Sequence, residues 1–310
     1  MLGIKRITGA ADLAPEGAPG SWVSDAAREK FMAAYEQVFA LWPQPCEEFD
    51  VETATTTTRV HAYRPHPDGP PVVLLTAAGS NAATWYPHVA ALAKGGPVYG
   101  IDLPGDANPS VARAPITPPA SCAAWLDELL TQLSDRPAHL VGISYGGWIA
   151  MNQAIRAPGR VASITLLDPA GLTKVDARFW WWFSLSGLAG LTPPPLRRRL
   201  TAWLGSPVMP DEMVTLMWAG LRGYHAEPKF PAVLSDDQLG EIRVPVLLVT
   251  GARSALVTPK EARDRAGHMP HAEVAVVPGS HGGFNRIDAL NDKMAAFIDA
   301  QATASRGAAG

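Results

Sequence analysis

The chain predicts an α/β architecture in which a mostly parallel sheet is flanked by helices and interrupted by one helical insertion. Three observations predict it. Short β-branched apolar runs recur at residues 72–76, 98–102, 139–144, 161–168, 244–250 and 273–277. None exceeds eight residues, a length that fits a buried strand better than a helix. Stretches of helical spacing lie between them, and strands alternating with helices require a sheet covered on both faces. The alternation stops between residues 171 and 236, where no run reads as a strand.

Taken in order, residues 1–20 are rich in Ala, Pro and Gly and lack the apolar centre of a signal peptide, so they read as a flexible arm. The α/β core then occupies residues 21–170 and 237–302, and a helical lid, or cap, occupies 171–236. Ser24 is a candidate N-cap for a first helix whose face carries Phe31, Tyr35, Val38 and Trp42, with Pro43 as its stop. Residues 49–63 read as extended and Thr-rich, up to Pro65 and Pro67. Cys122, Trp125, Leu126, Leu129, Leu130 and Leu133 fall at offsets 0, 3, 4, 7, 8 and 11, one face of a helix over 121–134. Thr258-Pro259-Lys260-Glu261 is a capping box with proline at the first helical position. A last helix covers 286–300.

The insertion holds Pro193, Pro194 and Pro195, and then Arg197, Arg198 and Arg199, which read as a solvated helix face. Half of the ten tryptophans (Trp180, Trp181, Trp182, Trp203 and Trp218) sit in this fifth of the chain. Two readings fit them. The tryptophans either pack the insertion onto the sheet or form the aromatic underside of a lid over a site at the ligand-binding edge.

Composition removes several classes of function. Of 310 residues, 47% are hydrophobic and 18% charged, a globular balance, and the formal charge of −3 gives no basic footprint for nucleic acid. No stretch approaches the ~18 uninterrupted apolar residues of a membrane span. Two cysteines, Cys46 and Cys122, cannot build a disulfide framework or a zinc site alone. There is no G-x-G-x-x-G opening a helix, no Walker loop and no H-E-x-x-H, so neither cofactor nor metal is expected. The expectation is a cytoplasmic enzyme-sized protein that takes a small hydrophobic substrate; a homo-oligomer stays open.

The chemistry concentrates in Gly142-Ile143-Ser144-Tyr145-Gly146-Gly147, which follows an apolar strand and opens a helix through Trp148, Ile149, Met151 and Ile155. On a sharp strand-to-helix turn, glycines two residues either side remove Cβ atoms that would clash, and the serine rises at the carboxyl edge of the sheet. The next N–H, that of Tyr145, then lies at a helix N-terminus, suited to an oxyanion. A serine hydroxyl needs a base. Of eight histidines, His281 lies in Pro278-Gly279-Ser280-His281-Gly282-Gly283-Phe284, after the last strand and at the same edge as Ser144. His61, His66, His88, His268 and His271 fall in loops or at element ends, where solvation is the default. His139 begins a strand at the opposite edge, and His225 in the insertion is a backup.

The elbow, the late histidine, the strand order and the insertion resemble the α/β-hydrolase superfamily over roughly residues 49–300. Leu41-Trp42-Pro43, Thr84-Trp85-Tyr86-Pro87 and Ile101-Asp102-Leu103-Pro104-Gly105-Asp106 resemble its bacterial carboxylesterase-like members. The resemblance implies an α/β-hydrolase fold with Ser144 as nucleophile, His281 as base and the Ala78 and Tyr145 N–H groups as oxyanion donors. Two positions depart from the pattern. The usual His-Gly after the third strand is here Thr76-Ala77, and the usual acid after the penultimate strand is replaced in Gly251-Ala252-Arg253-Ser254 by Ser254. A serine cannot balance an imidazolium as a carboxylate does.

Asp168, in Leu167-Asp168-Pro169 after the strand that follows the elbow helix, is the replacement candidate and keeps the order Ser, Asp, His. It also reads as a plain cap of the strand-to-insertion turn, and Asp102 and Asp106 are alternatives. The expected reaction is cleavage of a carboxylic ester, lactone or thioester through an acyl-enzyme on Ser144, with Trp181 and Trp182 against the hydrophobic portion. Two rivals stay open: a lyase, isomerase or cyclase on the same fold, and a ligand-binding protein that has lost catalysis.

Overall fold

The computed structural model describes residues 19–204, 210–281, 283–284 and 287–307. The expected N-terminal arm lies outside the described residues, apart from Pro19 and Gly20. β1 (Ser21–Trp22) leads into α1 (Asp25–Phe39), where the Ser24 hydroxyl accepts the Ala27 N–H at 3.2 Å. β2 (Glu47–Glu52) and β3 (Thr56–Tyr63) form an antiparallel hairpin where the sequence reads one extended segment. The threonines turn the chain by bonding to each other: Thr53 to Thr56 at 2.9 Å and Thr56 to Thr58 at 2.8 Å, all buried.

β4 (Val72–Leu75), α2 (Val89–Leu92), β5 (Val98–Ile101) and β6 (Val111–Ala112) follow. Then come α3 (Pro119–Leu133), β7 (Ala138–Ile143), α4 (Tyr145–Arg156) and β8 (Val161–Leu167). The insertion carries α5 (Ala177–Gly190), α6 (Pro194–Leu204), α7 (Asp211–Gly223), β9 (Tyr224–His225) and α8 (Asp236–Gly240). β9, which no local pattern announces, pairs with β1. β10 (Val246–Gly251), α9 (Pro259–Ala266), β11 (Ala272–Val277), β12 (Gly279–Ser280) and β13 (Gly283–Phe284) precede α10 (Ile287–Gly307), which runs beyond its expected end.

The main sheet has the order β11-β10-β8-β7-β4-β5-β3-β2, with β6 beside β3. From β11 to β5 every neighbouring pair is parallel, so the carboxyl ends of β4, β7, β8, β10 and β11 share one edge. β3 and β2 continue it antiparallel. Alternation along the strands separates two cores: Val73 and Leu75 of β4 meet Trp125 and Trp148 of α3 and α4, whereas Val72 and Leu74 meet Phe31, Met294 and Phe297 of α1 and α10. Trp42 fills the second core directly against Gly100, where a Cβ would lie 2.6 Å from the indole.

The insertion leaves and rejoins the sheet at one place. The Leu234 N–H donates to Gly171 C=O at 2.9 Å, and Trp148 Nε1 of α4 donates to Ala232 C=O at 3.0 Å. Two of the histidines expected to be solvated are not. His61 is fully buried in β3, stacked on Phe39 at 3.7 Å and 2.7 Å from the Tyr35 hydroxyl, and His88 is buried with Nδ1 2.6 Å from Asn291. Both face the core filled by α1 and α10, which their loop-like surroundings in the sequence conceal.

Candidate active site

Ser144 stands alone between β7 and α4, at φ 51° and ψ −112°. A side chain at positive φ is strained, and the surrounding backbone fixes it. The Ser144 N–H donates to Leu167 C=O at 3.0 Å, and its C=O accepts the Ala170 N–H at 2.9 Å. A Cβ on Gly142 would lie 2.4 Å from Gly146 O, and one on Gly146 would lie 2.2 Å from Leu75 O. Both glycines are therefore required by contact: they let α4 start against the ends of β4 and β7. The Tyr145 N–H sits in the first turn of α4, and the Tyr145 ring is buried, stacked on Trp148 at 5.3 Å. Burial raises its phenol pKa.

Asp168 follows β8, the strand beside that of Ser144, and also has positive φ, 44°. Its N–H donates to Val249 C=O at 2.8 Å. One carboxylate oxygen, Oδ1, accepts the Thr250 hydroxyl of β10 at 2.8 Å; the other, Oδ2, faces His281 Nδ1 at 3.8 Å. His281 is buried in the turn between β12 and β13, and burial lowers its pKa to about 4. The rings of Phe179 and Trp182 from α5 stand edge-on to it, each at 5.4 Å. Ser144, Asp168 and His281 thus come from the carboxyl ends of β7 and β8 and the turn between β12 and β13.

The other candidates separate cleanly. Ser254, at the place where the sequence raised the question of the acid, is buried, and its hydroxyl accepts the N–H groups of Leu256 at 3.2 Å and Val257 at 3.1 Å. It shapes the loop after β10. Asp102 accepts the Ala82 N–H at 2.8 Å and the Tyr35 hydroxyl. Asp106 forms a buried ion pair with Lys229 at 2.7 Å. Of the two tryptophans singled out, Trp182 lies against His281, whereas Trp181, one helical step of about 100° away, is 69% exposed.

Ala78 lies in the turn after β4, closed by Ser80 N–H to Ala77 C=O at 3.1 Å, with Gly79 at φ 72°. Such a positive φ at the third turn residue is the ordinary work of glycine. Both aspartates reach this loop. Asp102 bonds its far end at Ala82, and the Gly79 N–H approaches the carboxylate of Asp106. Burial raises the Asp106 pKa, and Lys229 and the Gly79 N–H draw it back down. Lys229, Thr250 and Phe179 escape a reading of the sequence alone. Lys229 sits in a Pro-flanked stretch more than a hundred residues from its partner, and only the aromatic run around Phe179 gives a signal.

A serine on a strained elbow and a buried histidine facing a carboxylate thus follow strands that end at one edge of a mainly parallel sheet, and the family model described as the alpha/beta hydrolase family matches residues 72–297. The chain belongs to this family. Among its relatives in Bacillus subtilis (strain 168), the uncharacterized carboxylesterase nap is 28% identical over 289 residues, 89% of this chain and 95% of that one. Carboxylesterase YbfK is 28% identical over 290 residues, 87% and 93% of the two chains. The crystal structure of naproxen esterase (carboxylesterase NP) from B. subtilis superposes with a TM-score of 0.77 at 26% identity, covering 89% of this chain and 99% of the other.

In this member of the alpha/beta hydrolase family, a buried charge pair lies beside the loop after β4. Lys229→Met leaves the Asp106 carboxylate buried without its cation. We expect a loss of about 3–5 kcal/mol in urea unfolding. Adding Asp106→Asn to Lys229→Met should recover most of that loss; an unfolding free energy for Lys229→Met within ~0.5 kcal/mol of the parent would contradict the role given to the pair.

Proposed function

We propose that the chain is a serine hydrolase that cleaves a carboxylic ester, lactone or thioester with a hydrophobic portion through an acyl-enzyme on Ser144. The observation that carries this reading is the shared sheet edge: Ser144 on its elbow after β7, His281 buried in the loop after the last parallel strand, and Asp168 Oδ2 facing His281 Nδ1 at 3.8 Å. The carboxylesterase relatives support ester hydrolysis by this fold.

In the proposed reaction, Ser144 Oγ attacks the carbonyl carbon while its proton passes to His281 Nε2. The oxyanion is held by the N–H groups of Ala78 and Tyr145. The tetrahedral intermediate collapses as His281 gives the proton to the departing oxygen or sulfur. Water, deprotonated by His281, then attacks the acyl-enzyme and releases Ser144 and the acid. Asp168 orients the ring by accepting its Nδ1–H. Thr250 fixes one oxygen of that carboxylate, so the other stays directed at the histidine. Closing the 3.8 Å gap by about an ångström forms the bond, the usual tightening on substrate binding. Residues 171–236 act as a lid: Phe179 and Trp182 on the inner face of α5 shield His281 from water and receive the apolar part of the substrate.

A fluorophosphonate probe should label the folded protein at Ser144, and Ser144→Ala should remove the label. An unlabelled, folded chain would instead favour a lyase, isomerase or cyclase. Asp168→Asn isolates the acid's charge, because asparagine tolerates the positive φ of 44° as aspartate does. Turnover should fall by ~10³–10⁴ with folding intact. A turn residue alone would lose about 1 kcal/mol of stability and keep its activity.

The pH profile gives a further expectation. The base works only when neutral, and burial lowers the His281 pKa to about 4. Its folded pKa lies below the ordinary value of about 6.5, so His281 stays neutral as pH falls through 6.5 and charges only near 4. The acid limb of kcat/KM should therefore lie close to pH 4; a limb near 6.5 would contradict a base buried in this way.

A further inference from the structure

α5 is apolar on both sides. Its inner side places Phe179 and Trp182 on His281 and buries Ala189. Its outer side leaves Trp180 53%, Trp181 69% and Leu188 59% exposed, with Leu191 at its cap 56% exposed. A helix apolar all round is ordinarily enclosed on all sides, and this one is enclosed on one. α6 packs beside it and exposes Leu196 and, near its end, Trp203 at 70%. Scattered single apolar residues on a surface need no explanation, but a contiguous face of this kind marks an interaction site.

Charge says what covers it. Residues 177–204 contain four arginines and no aspartate or glutamate, although the chain as a whole has a net charge of −3. Arg178 is paired with Asp176 and Glu261, and Arg197 with Asp211. Arg198 and Arg199 are exposed and make no ion pair among the described residues. A second copy meeting this face with its own would bring arginine to arginine, which opposes association. Across the two helices, exposed tryptophan and leucine on α5 lie beside uncompensated Arg198 and Arg199 on α6, residue types that seat a protein surface in the headgroup layer of an anionic bilayer.

We propose that the outer face of α5, continued by α6, docks on an anionic lipid surface. The indoles of Trp180, Trp181 and Trp203 enter the headgroup layer, and Arg198 and Arg199 face the lipid phosphates. Docking needs no catalytic step, so it stands or falls apart from the hydrolysis proposed above. It also sets the inner face of α5, with Trp182 and His281, just behind the membrane surface.

The test uses the full chain sedimented with vesicles. We expect binding to equimolar phosphatidylglycerol and phosphatidylcholine, with a blue shift of tryptophan emission, and much weaker binding to phosphatidylcholine alone. Arg198→Gln/Arg199→Gln should weaken binding about thirtyfold, and raised salt should weaken it likewise. Trp180→Ala/Trp203→Ala should abolish it. Both variants should keep the circular dichroism spectrum and, without vesicles, the hydrolysis of a soluble short-chain ester. Sedimentation with neither vesicle, equal binding to both, or unchanged binding by either variant overturns the proposal. A dimer in light scattering that Trp180→Ala/Trp203→Ala disperses, without vesicle binding, assigns the face to a second copy and overturns it as well.

Discussion

One backbone position carries the rest of the structure: Ser144 at φ 51°. Its conformation is imposed from three sides. β8 takes its N–H at Leu167, the turn after β8 returns a bond from Ala170, and the end of β4 presses on Gly146 closely enough to exclude any Cβ. Because β4, β7 and β8 are neighbours in register, a shift of any of the three would move the serine. Strain at a functional residue persists only where its surroundings over-determine it. Here the surroundings are the middle of the sheet.

The loop after β4 is set by electrostatics where the elbow is set by packing. Of two aspartates in one short segment after β5, Asp102 ties it at Ala82 and Asp106 lies beside Gly79. Each is itself held from a distant part of the chain, Asp102 by Tyr35 of α1 and Asp106 by Lys229 in the last stretch of the insertion. The loop that would supply one oxyanion N–H is thus linked to both the N-terminal helix and the returning end of the insertion. A buried carboxylate is tolerable in such a place only with partners of this kind.

What the sequence announces and what it conceals divide along the range of the interactions. The six main parallel strands were legible because burial on both faces demands continuous β-branched runs. The elbow was legible because its glycines are needed within two residues of the serine. The Thr-rich hairpin, buried His61 and the Asp106–Lys229 pair were not, since each is decided by a partner that local periodicity does not register. The orientation of the tryptophans was hidden for another reason. α5 is apolar all round, so its pattern marks no inner side, and only the packing of Phe179 and Trp182 on His281 separates Trp182 from exposed Trp181. Ser254 illustrates the reverse: its place raised the question of the acid, and its two backbone bonds show a residue already occupied in forming a loop.

The bond between Gly171 and Leu234 closes the insertion at its root. The sheet meets this segment at two posts a single hydrogen bond apart, with Trp148 fastening the return strand of chain to the elbow helix. A segment whose ends already touch can lengthen, shorten or change its helices without asking the strands to separate, because the chain leaves and re-enters at almost the same point. The architecture is therefore modular. The insertion can change its outline while the strands that hold Ser144, Asp168 and His281 keep one arrangement.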